Sequence, residues 1–216
     1  MRVSSIGGPS DEKNPMTAQA PARSSEGRRR RSADEVRATV LRTTARLLLE
    51  GGMSAVTFDR VAQAAPAGKA TIYKWWRSPG ALAAEAYFAH VEERLHFDST
   101  GDIEHDLRAQ LRAFVTLLMQ PDVGKAIAHL IGADQDDPDL ATAWSENYSR
   151  DRRRLAVDRL FEARNAGQIR QDVDPQVVVD QLWGACYHRL LLPDEPLTLA
   201  FADALVDNLG RGILTG

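Results

Sequence analysis

The 216-residue sequence predicts an all-α fold of about nine helices. Three observations carry that prediction. From Ser32 onward, apolar residues recur at three- and four-residue spacing. Helix-boundary signals punctuate the pattern: Gly51-Gly52 as a stop, Thr57 as an N-cap, and Ser78-Pro79 and Asp174-Pro175 as a cap followed by proline at the first turn. No segment alternates apolar and polar residues between turn signals as a strand would.

Residues 1–31 are rich in Ser, Pro, Gly, Ala and Arg and hold almost no large apolar side chain. They cannot bury enough surface to offset the entropy of ordering, so a disordered tail is expected. It closes on Arg28–Arg31, a run that suits either solvent or DNA phosphates. In the first helix Val36, Val40, Leu41, Ala45 and Leu48 form one stripe. The second puts Phe58, Val61, Ala62 and Ala65 on a single face and ends at Pro66 and Gly68. A short third helix is expected over 69–76 and a long fourth over 79–95. The fifth carries Ile103, Leu107, Leu111, Phe114 and Leu118, and the sixth starts at Pro121. One unbroken helix is expected over 137–167 and another over 174–192. The last helix carries Leu199, Ala202, Leu205, Leu209 and Ile213.

Composition sets further bounds. With 44% apolar residues the chain can bury a sizeable core. Its one cysteine, Cys186, rules out an intrachain disulfide and a Cys-based zinc site, which suits a cytoplasmic protein. No apolar run approaches the ~18 residues of a membrane span, and the N-terminus lacks the apolar region of a secretory signal. The net charge of −3 hides a division. Residues 23–80 carry twelve Lys and Arg against five Asp and Glu, whereas residues 81–216 carry thirteen against 23. A basic front and an acidic back suit a molecule whose front meets a polyanion, or one whose solvated surface is merely uneven.

The basic front holds the functional motif. Two short helices joined by a turn, the second basic, form a helix-turn-helix pattern. On the third helix Ile72 and Trp76 are four residues apart and face a small core with Leu48, Phe58 and Val61. Ala70, Tyr73 and Lys74 then face outward, with Thr71 beside them. Lysine supplies charge for phosphates or a donor to guanine, threonine and alanine touch thymine methyls, and a tyrosine hydroxyl donates to phosphate.

The stretch from Gly52 through Phe88, with Thr57, Val61-Ala62, "KATIYKWW" at 69–76 and Leu82, resembles the DNA-binding region of the TetR/AcrR family of bacterial transcriptional regulators. The C-terminal helices resemble, more loosely, the ligand-binding domain of one branch. The resemblance implies three parts: the tail (1–31), a DNA-binding domain (32–78), and an effector-binding and dimerisation domain (79–216). It implies that Thr57 caps the second helix and bonds a phosphate. It implies that Lys69, Ala70, Thr71, Tyr73, Lys74 and Trp75 face DNA and that Arg42 approaches the backbone. The sequence departs from the family pattern at Pro66, Ala67 and Gly68, which leaves the third helix without a side-chain cap, a loss of about 1 kcal/mol or less. Pro79 stands where the family usually places a phosphate-binding lysine, so salt dependence is expected to be weaker unless Arg77 substitutes.

The resemblance further implies homodimerisation through the last two helices, and the small residues Gly184, Ala185 and Cys186 permit close helix approach there. It implies an effector cavity, for which Phe114, Leu118, Trp144, Tyr148, Trp183, Tyr187 and His188 are candidate walls; aromatic walls with a few polar tips suit a lipophilic small molecule. No cofactor and no metal is expected: His90 and Glu93 have metal-binding spacing but no companion pair. The run Arg150–Arg154 is expected to be solvated or paired with Asp151 and Glu146. No nucleophile motif supports catalysis.

The expected function is that of a ligand-responsive repressor binding a palindromic double-stranded operator as a homodimer. Two other readings stay open at this point: a DNA-coating protein, for which the arginine run speaks, and a small-molecule sequestering or catalytic protein without operator function, for which Pro66 and Pro79 speak.

Overall fold

The computed structural model describes residues 32–95, 97–192 and 194–212. The N-terminal tail with its Arg28–Arg31 run, and Ile213, lie outside the described residues. Every regular element among the described residues is helical.

Helix α1 (Ala33–Gly51) starts in a capping box: the Ser32 hydroxyl accepts from Glu35 N while the Glu35 carboxylate accepts from Ser32 N. It stops at Gly52, whose φ of 66° lies in the left-handed region. A 3-10 turn (Met53–Ala55) leads to α2 (Phe58–Ala64), where the Thr57 hydroxyl accepts from Arg60 N. Helix α3 (Lys69–Trp75) follows Gly68, with no side-chain cap. Helix α4 (Pro79–Val91) is capped by Ser78 and then tightens into a 3-10 turn (Glu92–Arg94). The long fourth helix foreseen over 79–95 is therefore α-helical only to Val91.

Helices α5 (Ile103–Leu118) and α6 (Pro121–Asp134) are regular. The two long helices expected next are each interrupted. Helix α7 (Pro138–Trp144) passes through a π-turn (Ser145–Ser149) into α8 (Arg150–Asn165). Helix α9 (Pro175–Val179) passes through a second π-turn (Asp180–Gly184) into α10 (Ala185–Leu191). Helix α11 (Leu199–Arg211) ends the described chain. Counting each interrupted pair as one rod, the described residues form nine helical rods.

Helix α4 is the centre of the molecule. It is apolar around nearly its whole circumference, with Gly80–Ala84, Ala86–Phe88 and Val91 buried, as an internal helix must be. It packs on α1 on one side and on α6 and α7 on the other. Gly80 is required at its start, because a Cβ there would lie 2.9 Å from Leu140 Cβ. That close approach allows a shared cap. The Ser78 hydroxyl accepts from Ala81 N at 3.0 Å and donates to Asp137 Oδ2 at 3.1 Å, while Asp137 Oδ1 accepts from Asp139 N and Leu140 N. One pair of side chains thus fixes the first turns of α4 and α7 together.

Polar ties hold the remaining helices. Asp106 on α5 is fully buried and receives Arg159 of α8 at 2.6 and 2.8 Å, together with the Thr100 hydroxyl and backbone N–H. Burial pushes its carboxyl upward, but the Thr100 and Arg159 bonds outweigh that and hold it below the usual carboxylate range. Arg108 and Arg112 of α5 reach Asp207 and Asp203 of α11. The described residues form one compact unit. Among the described residues no helix is long and apolar enough to cross a membrane.

Candidate nucleic-acid interface and effector cavity

Two short helices, α2 and α3, carry the first candidate site. Neither is long enough to be stable alone, and α3 has no side-chain cap, so tertiary anchors hold it. Ile72 is 0% and Trp76 is 4% exposed, in one core with Leu48, Phe58 and Val61. Trp76 is also latched: its indole N–H donates to Glu85 Oε2 of α4 at 2.7 Å. Glu85 in turn receives Arg37 of α1 at 2.8 Å, and the Arg37 guanidinium lies 5.2 Å from the Trp76 ring centre. The exit of α3 is therefore tied to both neighbouring helices.

The opposite side of α3 faces solvent. Tyr73 is 60% exposed, and its ring rests edge-on against Phe58, 4.5 Å between centres, so its base is fixed. Ala70, Lys74 and Arg77 are exposed, and Thr71 is half-buried. Trp75 is half-buried and packs edge-on against Trp76. Lys69 is exposed but ion-paired with Asp59 of α2, whose hydrogen bond and charge push the ammonium pKa up. Thr57 is exposed; its oxygen is used as the cap, which leaves its hydroxyl proton to donate. Arg42 is exposed on α1 and donates to the Thr39 hydroxyl. Arg60, on the first turn of α2, was not foreseen as part of this face. It is exposed and makes no ion pair among the described residues. The arrangement presents cations, a phenol and small side chains to solvent on and around α3, the chemistry that binds a phosphate backbone and reads a groove.

The second candidate site is a cavity of about 190 Å³ between α5, α8 and the α9–α10 rod. Four of the seven foreseen wall residues line it: Phe114, Tyr148, Trp183 and Tyr187. Leu118, Trp144 and His188 do not. Leu118 is buried where α5 meets Gly124 of α6, Trp144 packs against Tyr87, Phe88 and Tyr148, and His188 is exposed. Phe97, Gln110 and Arg152 line the cavity without having been foreseen. Both π-turns open onto it, the first through Tyr148 and Ser149, the second through Asp180, Trp183 and Gly184. Such turns occur frequently at functional sites. Gln110 accepts from the Trp183 indole N–H at 3.0 Å, and the Phe114 and Tyr187 rings meet edge-on at 5.4 Å. Tyr148 stacks in parallel on Phe88 of α4, 4.2 Å between centres. Burial raises the pKa values of both the Tyr148 and Tyr187 hydroxyls, so both stay protonated at neutral pH.

The arginine run follows the expectation in part, with Arg154 paired with Asp151. Arg154 also pairs with Asp158, whereas Arg152 and the Arg153–Asp180 pair line the cavity. Among the described residues, no group of three or more His, Cys, Asp or Glu is placed to hold a metal.

Comparison with known proteins settles the family. Residues 40–86 match the model of bacterial regulatory proteins of the tetR family, and residues 97–209 match that of a tetracyclin repressor-like C-terminal domain. The chain belongs to the TetR family. Its TetR-type N-terminal match spans α2, α3 and most of α1 and α4, the elements that build the exposed edge. The HTH-type transcriptional regulator YdeS of Bacillus subtilis is 31% identical over 189 residues, covering 87% of this chain and 95% of its own length. The crystal structure of the TetR family transcription regulator SCO0332 superposes with a TM-score of 0.77 at 54% identity, covering 84% of this chain and all of that one. The TetR fold alone is shared with FadR of Bacillus subtilis, crystallised with stearoyl-CoA, at a TM-score of 0.61 and 14% identity over 82% of this chain and 98% of that one. The protein is thus a TetR-family transcriptional regulator whose helix-turn-helix is α2–α3.

Proposed function

We propose that the protein is a homodimeric repressor that binds a palindromic operator through α3 and lets go when a small lipophilic effector enters the cavity. The observation that carries this reading is the division of α3: Ile72 and Trp76 are buried beneath it while Tyr73 and Lys74 stand in solvent. Ala70, Thr71, Tyr73 and Lys74 read the groove. Thr57, Arg60, Lys69 and Arg77 hold phosphates, Lys69 after parting from Asp59. Arg77 takes the ionic role left open by Pro79, and Arg42 and Trp75 border the footprint.

Exposed apolar residues support dimerisation through the last rods. Val177, Leu191 and Leu192 are 48%, 41% and 54% exposed on α9, on α10 and just after α10. A two-fold dimer sets its recognition helices ~34–36 Å apart, in successive major grooves. FadR of Bacillus subtilis, crystallised with stearoyl-CoA, supports a lipophilic ligand in this fold. The cavity of about 190 Å³ is below the ~300–1,000 Å³ of drug-sized sites, so a compact effector is expected.

Helix α4 is the lever. At its far end Phe88 stacks on Tyr148 of the cavity wall, at its near end Ser78 shares a cap with Asp137, and between them Glu85 grips Trp76 behind α3. A ligand that displaces Tyr148 favours another setting of α4 and of the spacing between recognition helices, a population shift between two states. The test is a footprint and gel-shift with operator fragments selected from genomic DNA. A protected palindrome is expected, and Tyr73→Ala or Lys74→Ala lowers affinity at least a hundredfold with the dimer intact. Unaltered affinity in both variants, or coating without a defined footprint, overturns the reading.

A further inference from the structure

The cavity holds charged groups as well as aromatic ones. Its walls are aromatic, from Phe97, Phe114 and Trp183, but one region is polar. There Arg152, Tyr148 and Tyr187 line the cavity together with the Arg153–Asp180 ion pair. The Tyr87 hydroxyl, which interacts with the same two phenols, is buried without a hydrogen-bond partner among the described residues. The acceptors that also line the cavity are engaged elsewhere, Asp180 by Arg153 and Gln110 by the Trp183 indole, which leaves Arg152 and the phenols as donors without a carboxylate. Among the described residues Arg152 donates to the Leu95 carbonyl, just beyond the α4 extension. Burial lowers the Arg152 pKa, and Glu92 acts on Arg152 through space without an ion pair between them.

Neighbouring arginines are treated otherwise. Arg153 is engaged by Asp180 at 2.7 Å and by Gln176, and Arg159 by Asp106 at 2.6 Å. A half-buried guanidinium with no carboxylate among aromatic rings is unfavourable unless something of opposite charge joins it.

Building on the effector reading above, we propose that the effector is a compact aryl carboxylate, its carboxylate received by Arg152, Tyr148 and Tyr187 and its one- or two-ring body lying among Phe97, Phe114 and Trp183. A planar carboxylate matches the guanidinium fork, and its single negative charge balances the single unpaired cation. A phosphate dianion would leave a second charge against aromatic walls. The ligand also bears on the lever twice. Arg152 holds the Leu95 carbonyl at the end of the α4 extension, and Tyr148 stacks on Phe88 of α4.

The experiment titrates the intact full-length protein with benzoate and 2-naphthoate and with their neutral carboxamides, by calorimetry and by quenching of tryptophan fluorescence. At least one acid is expected to bind tenfold or more tightly than its amide. Arg152→Met removes that preference and leaves amide affinity within about threefold. Tyr148→Phe, which keeps the stack on Phe88, lowers acid affinity severalfold and guards against misfolding of the arginine variant. Amides binding as well as acids, an acid preference that survives Arg152→Met, or no acid binding at millimolar concentration each overturn the proposal. The effector reading fails separately, if an acid binds as expected yet leaves operator affinity unchanged.

Discussion

Two regions of this protein use the same pair of chemistries, a tyrosine and a cation, in opposite surroundings. On α3, Tyr73 and Lys74 stand in water and are bound to little, their backbone held from behind by Ile72 and Trp76. In the cavity, Tyr148 and Arg152 lie against aromatic walls and are fixed by neighbours. Exposure keeps a cation cheap to maintain and free to adjust to a long polyanion, at the cost of strong salt screening. Burial makes a cation costly and its bonds less screened, which suits one small ligand of defined charge. The reading edge and the sensing cavity thus differ less in residue type than in solvent.

The comparison can be broken in several ways. The largest effect is expected at Asp106. Its substitution by asparagine leaves Arg159 buried without a counter-charge, and urea denaturation should show a loss of about 3–5 kcal/mol, whereas Arg152→Met, which removes a cation that has no carboxylate, should cost less than about 1 kcal/mol. Because the folded Asp106 carboxyl lies below its ordinary value, its contribution is complete above about pH 4 and is lost as pH falls through the lowered value. The asparagine variant should lack that part of the acid dependence. Equal losses in the two variants would erase the distinction between paired and unpaired arginine. Next comes Trp76→Ala, which removes an anchor and its bond to Glu85 and should cost about 3–5 kcal/mol. Tyr73→Ala, on the other face of the same helix, should shift the melting temperature little. A large stability loss from Tyr73→Ala would show that the exposed edge also holds the fold. The smallest effect is expected at the shared cap. Ser78→Ala should cost about 1 kcal/mol and weaken the influence of effector on operator affinity, measured by gel-shift with and without ligand.

The helical class, the start of α1 at Ser32, the caps at Thr57, Ser78 and Asp174, and the buried pair Ile72 and Trp76 were all legible, because each depends on residues within one or two turns of each other. The two π-turns were not, since one extra residue in a turn leaves the apolar spacing nearly unchanged. Nor was the loss of Leu118, Trp144 and His188 from the cavity wall, because the π-turns and the packing of α4 on α7 decide which face of each rod meets the cavity. Arg152 and Arg153 are adjacent in an unbroken basic run, and nothing local shows that Arg153 meets Asp180 while Arg152 has no carboxylate paired with it.

By itself, then, the sequence determined that the chain is helical, where its caps fall and which side of α3 is buried, since short-range hydrogen bonds and a 3.6-residue period are written in neighbouring residues. Only the tertiary structure decided the cavity, its arginine and the Ser78–Asp137 and Trp76–Glu85 links to α4, because those join positions whose proximity is set by how the rods pack and not by the order of the chain.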